Sequence, residues 1–465
     1  MTFSSKPVDE VTSSIMSSDF IVRRSLFELT GRSLFKLTAW AGILVINLPG
    51  DRLFGEKISK NDAEETGILE MADDGLQWEK LIDGLRPLGD AMRKRVPERL
   101  QSDPQIMAES MRLLLSGVTR ATNDALVGDR RHPMFVPELN ISQNIFQPNA
   151  DTIYRACLIE KGGTYIIRGD RGTVRMVILA QMGPDTLRTG KHHPLLGQID
   201  FDTLTLDEND HFEVVISPER PEGYDGDWRQ LDPLCEKFMV RVVSCDWGVE
   251  REPRFGIARL DVEEAKGRPS KEALNHAFGE IPGITGVCAL AFPTHVEELR
   301  AEGHLNTLKI FDVSQMSGLS GQFYYEGAYE LDDDEALITE VKVPKSYRYW
   351  SIILTNDIYE TTDWYNNQAS LNDKQGIVDT DGVFRTVISA RDPGVHNWLD
   401  TSGYASGAIQ GRWFEASEKP MPTIKKVKLA DVSQHLPSDT KRVSPQERAI
   451  ALRNRRLAAQ MRIIW

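Results

Sequence analysis

Cysteine is scarce in this chain. Four occur in 465 residues, Cys157, Cys235, Cys245 and Cys288, with no CxxC and no histidine at zinc-like spacing, so neither a disulfide framework nor a structural zinc site is expected. They read as small buried hydrophobes. No GxGxxG follows a strand, and GxxxxGK[ST] and GxSxG are missing, which removes the usual dinucleotide, P-loop and α/β-hydrolase readings. The nine histidines include no HExxH, HxH or compact two-histidine-one-carboxylate spacing, and His192-His193, being adjacent, would point to opposite faces of a strand. No metal and no cofactor is therefore expected, and a metal-dependent jelly-roll enzyme is an alternative that would need ligands far apart in sequence.

Positive charge is also in deficit. Lys+Arg number 55 against 69 Asp+Glu, a net charge of −14, and such a surface repels phosphate backbones, so no nucleic-acid partner is expected. Long apolar runs are lacking too. The stretch from Leu37 to Leu48 falls short of the ~20 residues that span a bilayer, and Asn47-Leu48-Pro49-Gly50-Asp51 does not resemble a signal-peptide cleavage site. Arg23-Arg24-Ser25-Leu26-Phe27 is faintly similar to a twin-arginine export string. The expected location is cytoplasmic, with a peripheral membrane association or export left open.

What is present is a globular composition, 40% hydrophobic and 27% charged, long enough for two or three folded units. Residues 24–30 (RSLFELT) nearly repeat as 32–38 (RSLFKLT), a basic amphipathic segment. Residues 63–128 read as helices: an apolar stripe runs from Trp78 to Val96, with Pro87 expected to kink or divide it, and Asp103-Pro104 caps a second helix that Gly128 stops. From about 132 the pattern turns to short β runs separated by Gly, Pro and Asp, an all-β module. Residues 266–320 return to helix as a linker, with segments at 271–278 and from Pro293. A second β series over 321–430 has the spacing of a sandwich or jelly roll. Ser444-Pro445-Gln446-Glu447 is a capping box that opens a C-terminal basic amphipathic helix in 431–465, with Ile450, Leu457, Met461 and Ile464 on one face and seven Lys/Arg against one Glu over 441–465. That helix reads as a clamp onto the acidic body or onto another subunit. No repeat of 20–50 residues is present.

Two strings carry more than periodicity. Gln147-Pro148-Asn149-Ala150-Asp151-Thr152-Ile153-Tyr154 leads into the first β run. Arg391-Asp392-Pro393-Gly394-Val395-His396-Asn397-Trp398-Leu399-Asp400 precedes a strand ending Gly411-Arg412-Trp413-Phe414. Together, over roughly 132–430, they resemble the bacterial tandem family known as domains of unknown function 1254 and 1214, whose PN-x-DT-x-Y and NWL motifs they match. The Arg155-Ala156-Cys157 that follows Tyr154 departs from that pattern. The resemblance implies no reaction. It implies an immunoglobulin-like β-sandwich (132–265) followed by a jelly-roll β-sandwich (321–430) with helical additions. With the helical N-terminal region (1–131), which lies outside the match, and the helical linker (266–320), both read from periodicity, the expected fold is mainly β with helical additions.

The same strings hold the candidate site. His396, Asn397, Trp398 and Asp400 offer a base, an amide, an aromatic plate and a carboxylate within five residues after a turn, and Arg412 could make a bidentate contact to an anion. The long connection 356–382 carries Tyr359, Trp364, Tyr365 and Asn366, plates and amides suited to an amphipathic or polyhydroxylated molecule. Asn149, Asp151 and Tyr154 form a third polar group. Each also has a structural use: loop hydrogen bonds, core filling, or an Arg412–Asp400 pair. The expectation is a small-molecule-binding protein with a cleft in the C-terminal sandwich. Metal-free acid/base chemistry (lyase, isomerase or hydrolase) would use His396 as base with Asp400 and Arg412. The alternative is a non-catalytic binding, assembly or membrane-surface protein, and a homo-oligomer is expected in either case.

Overall fold

The structure, a computed structural model, describes residues 38–40, 43–45 and 78–462 except 264, 314, 315 and 317. The chain divides into two compact units, Met1–Leu76 and Gln77–Trp465. In the first, β1 (Thr38–Trp40) pairs antiparallel with β2 (Ile43–Val45), so this part of the expected helical region is a short β pair. The rest of the 24–38 near-repeat, and the helical reading of 63–77, lie outside the described residues.

The second unit begins with α1 (Trp78–Arg95), which runs unbroken through Pro87. The proline faces solvent, where water can satisfy the carbonyl it frees. In α2 (Pro104–Val127) the Asp103 carboxylate accepts from the amides of Gln105 and Ile106, Pro104 fills the first helical position, and Gly128 ends the helix as expected. The linker helix is longer than its sequence suggests: α4 (Lys271–Leu290) continues through Pro282. Packing overrides local propensity here. Gly117 of α2 lies so close to α4 that a Cβ would sit 3.1 Å from the Thr285 carbonyl, and Met92, Leu113, Ala121, Ile284 and Cys288 close a common core.

Two β-sandwiches follow, and the mainly β architecture with helical additions is as expected. In the first, one sheet has the order β3-β4-β10-β6-β7 and the other β11-β5-β8-β9. Its strands are β3 (Val136–Pro137), β4 (Thr152–Leu158), β5 (Tyr165–Asp170), β6 (Met176–Met182), β7 (Leu195–Asp200), β8 (His211–Ser217), β9 (Asp227–Gln230), β10 (Lys237–Val243) and β11 (Arg254–Arg259). A short helix, α3 (Thr186–Thr189), joins β6 to β7. After α4 and α5 (His295–Ala301) come β12 (Lys309–Phe311), β13 (Gln322–Glu330), β14 (Glu335–Lys342), β15 (Tyr349–Leu354), β16 (Ser370–Asn372), β17 (Val383–Ser389), β18 (Trp398–Asp400), β19 (Ser406–Phe414) and β20 (Thr423–Lys428). Their sheets are β12-β13-β19-β15-β16 and β18-β17-β14-β20. Counted from its own first strand, each sandwich reads 1-2-8-4-5 and 9-3-6-7, with the sixth and seventh strands parallel in both. The two sandwiches, expected to differ in type, share one strand order and are structural repeats.

The five-stranded sheets of the two repeats pack outer face to outer face. On β10, Phe238, Val240 and Val242 enter the core of the first sandwich, while Val243 joins Met176 and Ile178 against Tyr349 and Phe414 of the second. This explains why β6 and β19 are buried along both faces. Polar ties cross the same interface: Arg175 pairs with Asp373 at 2.6 Å, and Arg348 pairs with Asp200 and, at 2.6 Å, with Asp202.

The C-terminal helix α6 (Pro445–Met461) opens with the expected capping box at Ser444 and Glu447 and docks on the body. The docking face is not the apolar one. Ile450, Leu457 and Met461 point to solvent, and Arg448, Arg455 and Arg462 make the contacts. Arg448 donates to Gln368, Asp392 and the Val395 carbonyl and lies over the Trp398 ring, and Arg455 donates to the Trp364 carbonyl and Ser370 and stacks on Trp247 at 4.4 Å. Ile464 lies outside the described residues. Among the described residues no helix is long and apolar enough to cross a membrane.

Candidate binding site between the two sandwiches

Strand parity decides what faces the gap between the repeats. On β4 and β10 the core takes Ile153, Cys157, Phe238, Val240 and Val242, which leaves Tyr154, Met239 and Arg241 on the opposite face. On β13 and β19 the core takes Phe323, Tyr325, Ile409 and Trp413, which leaves Tyr324, Glu326, Gln410 and Arg412 outward. The glycine at 411 is required because the Tyr325 ring crosses the strand there, and a Cβ would meet its Cζ at 1.9 Å. Between the two faces lies a cavity of about 220 Å³ lined by Tyr154, Arg241, Tyr324, Gln410 and Arg412, with Tyr359, His192 and His193 at its wall. An apolar surface of Phe146, Phe292, Phe311, Val313 and Met316 completes it. The cavity is therefore shared by both sandwiches and their connecting segments, a correction to the expected cleft within the C-terminal sandwich.

Each repeat supplies one tyrosine–arginine pair. Tyr154 is the cross-strand partner of Arg241, and Tyr324 of Arg412, on corresponding strands of the two sandwiches. The four residues are neighbours electrostatically: burial raises the Tyr324 pKa, Arg412 opposes that, and Tyr154 and Arg241 act on it from the other repeat.

Arg412 has the clearest chemistry. It is 5% exposed, its Nη2 donates to Gln410 Oε1 at 2.7 Å, and its guanidinium lies 5.1 Å from the centre of the Tyr324 ring. Among the described residues its Nε has no hydrogen-bond partner and no carboxylate pairs with it. Burial would lower its pKa, but Tyr324, Tyr154, Tyr349 and Asp151 outweigh that and hold it raised, so the group stays a cation. Lys237, by contrast, pairs with Glu138, which also receives Arg120 at 3.3 Å. Burial opposes the ionised form of Glu138, yet Lys237 and Arg120 keep its pKa below the usual carboxylate range.

Strain gathers at the same wall. Seven non-glycine residues among those described have positive φ, and three of them, Phe146, Gln147 and Tyr359, line the cavity. Among the described residues no group of three or more His, Cys, Asp or Glu side chains is arranged to hold a metal ion.

Of the residues singled out in the sequence, the structure brings Tyr154, Tyr359 and Arg412 to this cavity. It does not bring His396, Asn397, Trp398 or Asp400 there. The His396 Nε2 meets the Gln375 carbonyl at 2.9 Å, Asn397 donates to the carbonyls of Ile377 and Arg385, Trp398 donates to the Ser389 carbonyl, and Asp400 accepts from the Ser402 amide. These side chains tie loops to β17 and β18, and Arg412 does not pair with Asp400. Trp364 packs with Ala150, Trp247, Ile353 and Ala459 beneath α6, with Tyr365 beside it, and Asn366 accepts from Arg456. A hollow of about 20 Å³ beside Trp364 and Tyr365 has room for a water and little more. Asn149 and Asp151 are keystones between the repeats: Asn149 donates to the Tyr349 hydroxyl at 2.8 Å, and Asp151 accepts from Tyr349 at 2.6 Å, Asn372 at 2.7 Å and Trp247 at 3.0 Å. Sequence reasoning missed Arg241, Tyr324 and Gln410 as site residues. The available signal was an isolated polar residue inside a run otherwise apolar, as in FMVRVV and AIQGRWF.

No protein-family model and no curated protein matches the chain. Among solved structures, an uncharacterized protein from Burkholderia cenocepacia is similar at 24% identity and TM-score 0.70, covering 79% of this chain and 99% of its own. The VPA0106 protein from Vibrio parahaemolyticus matches at 14% identity and TM-score 0.40, over 69% and 100% of the two chains. The first likeness shows that the fold is shared.

Proposed function

We propose that the protein binds a small amphipathic carboxylate in the cavity between its two sandwiches, the acid group on Arg412 and the body against the aromatic wall. The observation that carries this reading is the buried guanidinium of Arg412, with an unbonded Nε and no acidic partner. A buried donor without a partner costs free energy, and a ligand carboxylate would supply the missing acceptor. Size supports a small molecule: an apolar cavity of about 150 Å³ holds benzene, so about 220 Å³ suits a single-ring or short-chain acid.

Thermal unfolding with benzoate, phenylacetate and hexanoate, each beside its amide, tests this. A ligand at a hundredfold excess over its Kd stabilises by about 2.7 kcal/mol, which reads as a rise in Tm. The acids are expected to raise Tm and the amides not, and Arg412→Met to abolish the difference. Equal shifts with acid and amide, or none with any acid, would count against the reading.

A further inference from the structure

Behind Tyr359 lies a carboxylate that the binding reading does not use. Glu326 of β13 is fully buried; its Oε2 is 2.9 Å from His295 Nε2 and accepts from the Tyr359 hydroxyl at 3.4 Å. Among the described residues its Oε1 has no hydrogen-bond partner, and Lys309 Nζ lies 4.0 Å from it. Tyr359 stands between this carboxylate and the cavity. Its hydroxyl also accepts from Gln410 Nε2 at 3.1 Å, and the other end of that amide holds Arg412. One continuous line of polar contacts thus runs from His295 through Glu326, Tyr359 and Gln410 to Arg412. His295 is partly exposed, so the line reaches from solvent to the cavity wall.

A structural use of Glu326 would be to hold β13 against α5 through His295. That use leaves two things unexplained: the free Oε1, and the placement of a tyrosine at φ +66 with its hydroxyl between carboxylate and cavity. Aromatic residues adopt that backbone conformation only where the surroundings enforce it, and such positions cluster at sites of chemistry.

We propose that the cavity is a proton-abstraction site that enolises an amphipathic 2-oxo acid, with Tyr359 taking a proton from the carbon next to the carbonyl while passing its own hydroxyl proton to Glu326. The inference rests on the reading that Arg412 holds the carboxylate. A 2-oxo acid presents a carboxylate and a carbonyl oxygen side by side, in the plane that a guanidinium fork recognises. The C–H bond breaks and an O–H bond forms on Tyr359; the Tyr359 O–H bond breaks and one forms on Glu326 Oε2. The electron pair of the C–H bond becomes the C=C bond of the enolate, and the charge collects on the carbonyl oxygen beside Arg412. Return of the proton along the same line regenerates the keto acid, or protonation on oxygen gives the enol, so no co-reactant is consumed. Burial, reinforced by Glu326, holds the Tyr359 pKa well above its ordinary value, which suits a hydroxyl that relays a proton and is not stored as phenolate. The long Tyr359–Glu326 contact is of the kind that shortens when a ligand closes the site.

The test uses the full chain and phenylpyruvate in D₂O, following loss of the benzylic proton signal by NMR, with Tm measured on the same samples. Wild type is expected to gain stability from phenylpyruvate and to exchange its C3 protons at least tenfold faster than buffer. Tyr359→Phe and Glu326→Gln should keep the Tm shift and exchange at or near the buffer rate, as expected on removing a positioned acid/base group. Arg412→Met should lose both. Stabilisation with exchange at the buffer rate, or exchange undiminished in both Tyr359→Phe and Glu326→Gln, overturns the proposal and leaves the binding reading intact. Absence of stabilisation by both phenylpyruvate and pyruvate overturns the binding reading, and this inference with it.

Discussion

Arg412 keeps one buried donor without a partner among the described residues. Its Nη2 is met by an amide oxygen, its guanidinium by an aromatic face, and the neighbouring tyrosines and Asp151 favour its charge, but its Nε has no acceptor. Replacing it with methionine, of similar reach and without charge, removes that donor and is expected to leave the stability of the protein unchanged to within about 1 kcal/mol, measured as the midpoint of urea unfolding. A destabilised variant would mean that the guanidinium is a structural strut. At this scale part of the site was legible, because Arg412, Tyr154 and Tyr359 stand out as polar or aromatic groups beside turns and strand starts. His396 and Asp400 stood out for the same reason and serve loop hydrogen bonds instead. Their short spacing shows that the groups are near each other, but says nothing about backbone carbonyls that arrive from residues 375, 377 and 385.

Among the elements, α6 docks on the body through its arginines. Arg448 satisfies Gln368, Asp392 and the Val395 carbonyl from a buried position, so its truncation leaves several groups without partners. Arg448→Ala is expected to cost about 2–4 kcal/mol, checked by chemical unfolding beside the exposed control Arg453→Ala, which should change stability little. An Arg448 variant as stable as that control would contradict the docking described for this helix. Signals that act within one turn were legible, as the capping box at Ser444 and the Asp103-Pro104 start show. The course of α4 through Pro282 was not, since close packing against α1 and α2 sustains it: a Cβ on Gly84 would meet the Pro282 ring at 2.7 Å. The apolar stripe of Ile450, Leu457 and Met461, legible as one face, points to solvent.

For the whole molecule, the governing feature is duplication. Two nine-stranded sandwiches of one strand order pack through equivalent sheets, and the equivalent tyrosine–arginine pairs meet in the gap. Tyr154 and Tyr324 are 170 residues apart and Arg241 and Arg412 are 171 apart, a period well beyond the 20–50 residues of ordinary repeats. Composition and periodicity made the β modules legible, yet their equivalence was not: core positions accept any apolar residue of suitable volume, so Phe238 and Val242 on β10 and Ile409 and Trp413 on β19 can serve corresponding positions without visible likeness. At the gap only the tyrosine–arginine pairs recur, Tyr154 with Arg241 and Tyr324 with Arg412. A ligand in this place contacts both repeats at once, which ties binding to the packing of one sandwich on the other. The most direct measurement is a crystal structure of the protein grown with phenylacetate. It should show density between the Tyr154–Arg241 and Tyr324–Arg412 pairs, with the carboxylate on the Arg412 guanidinium; an empty cavity at saturating ligand, or phenylacetate seated elsewhere with Arg412 unengaged, would contradict the account.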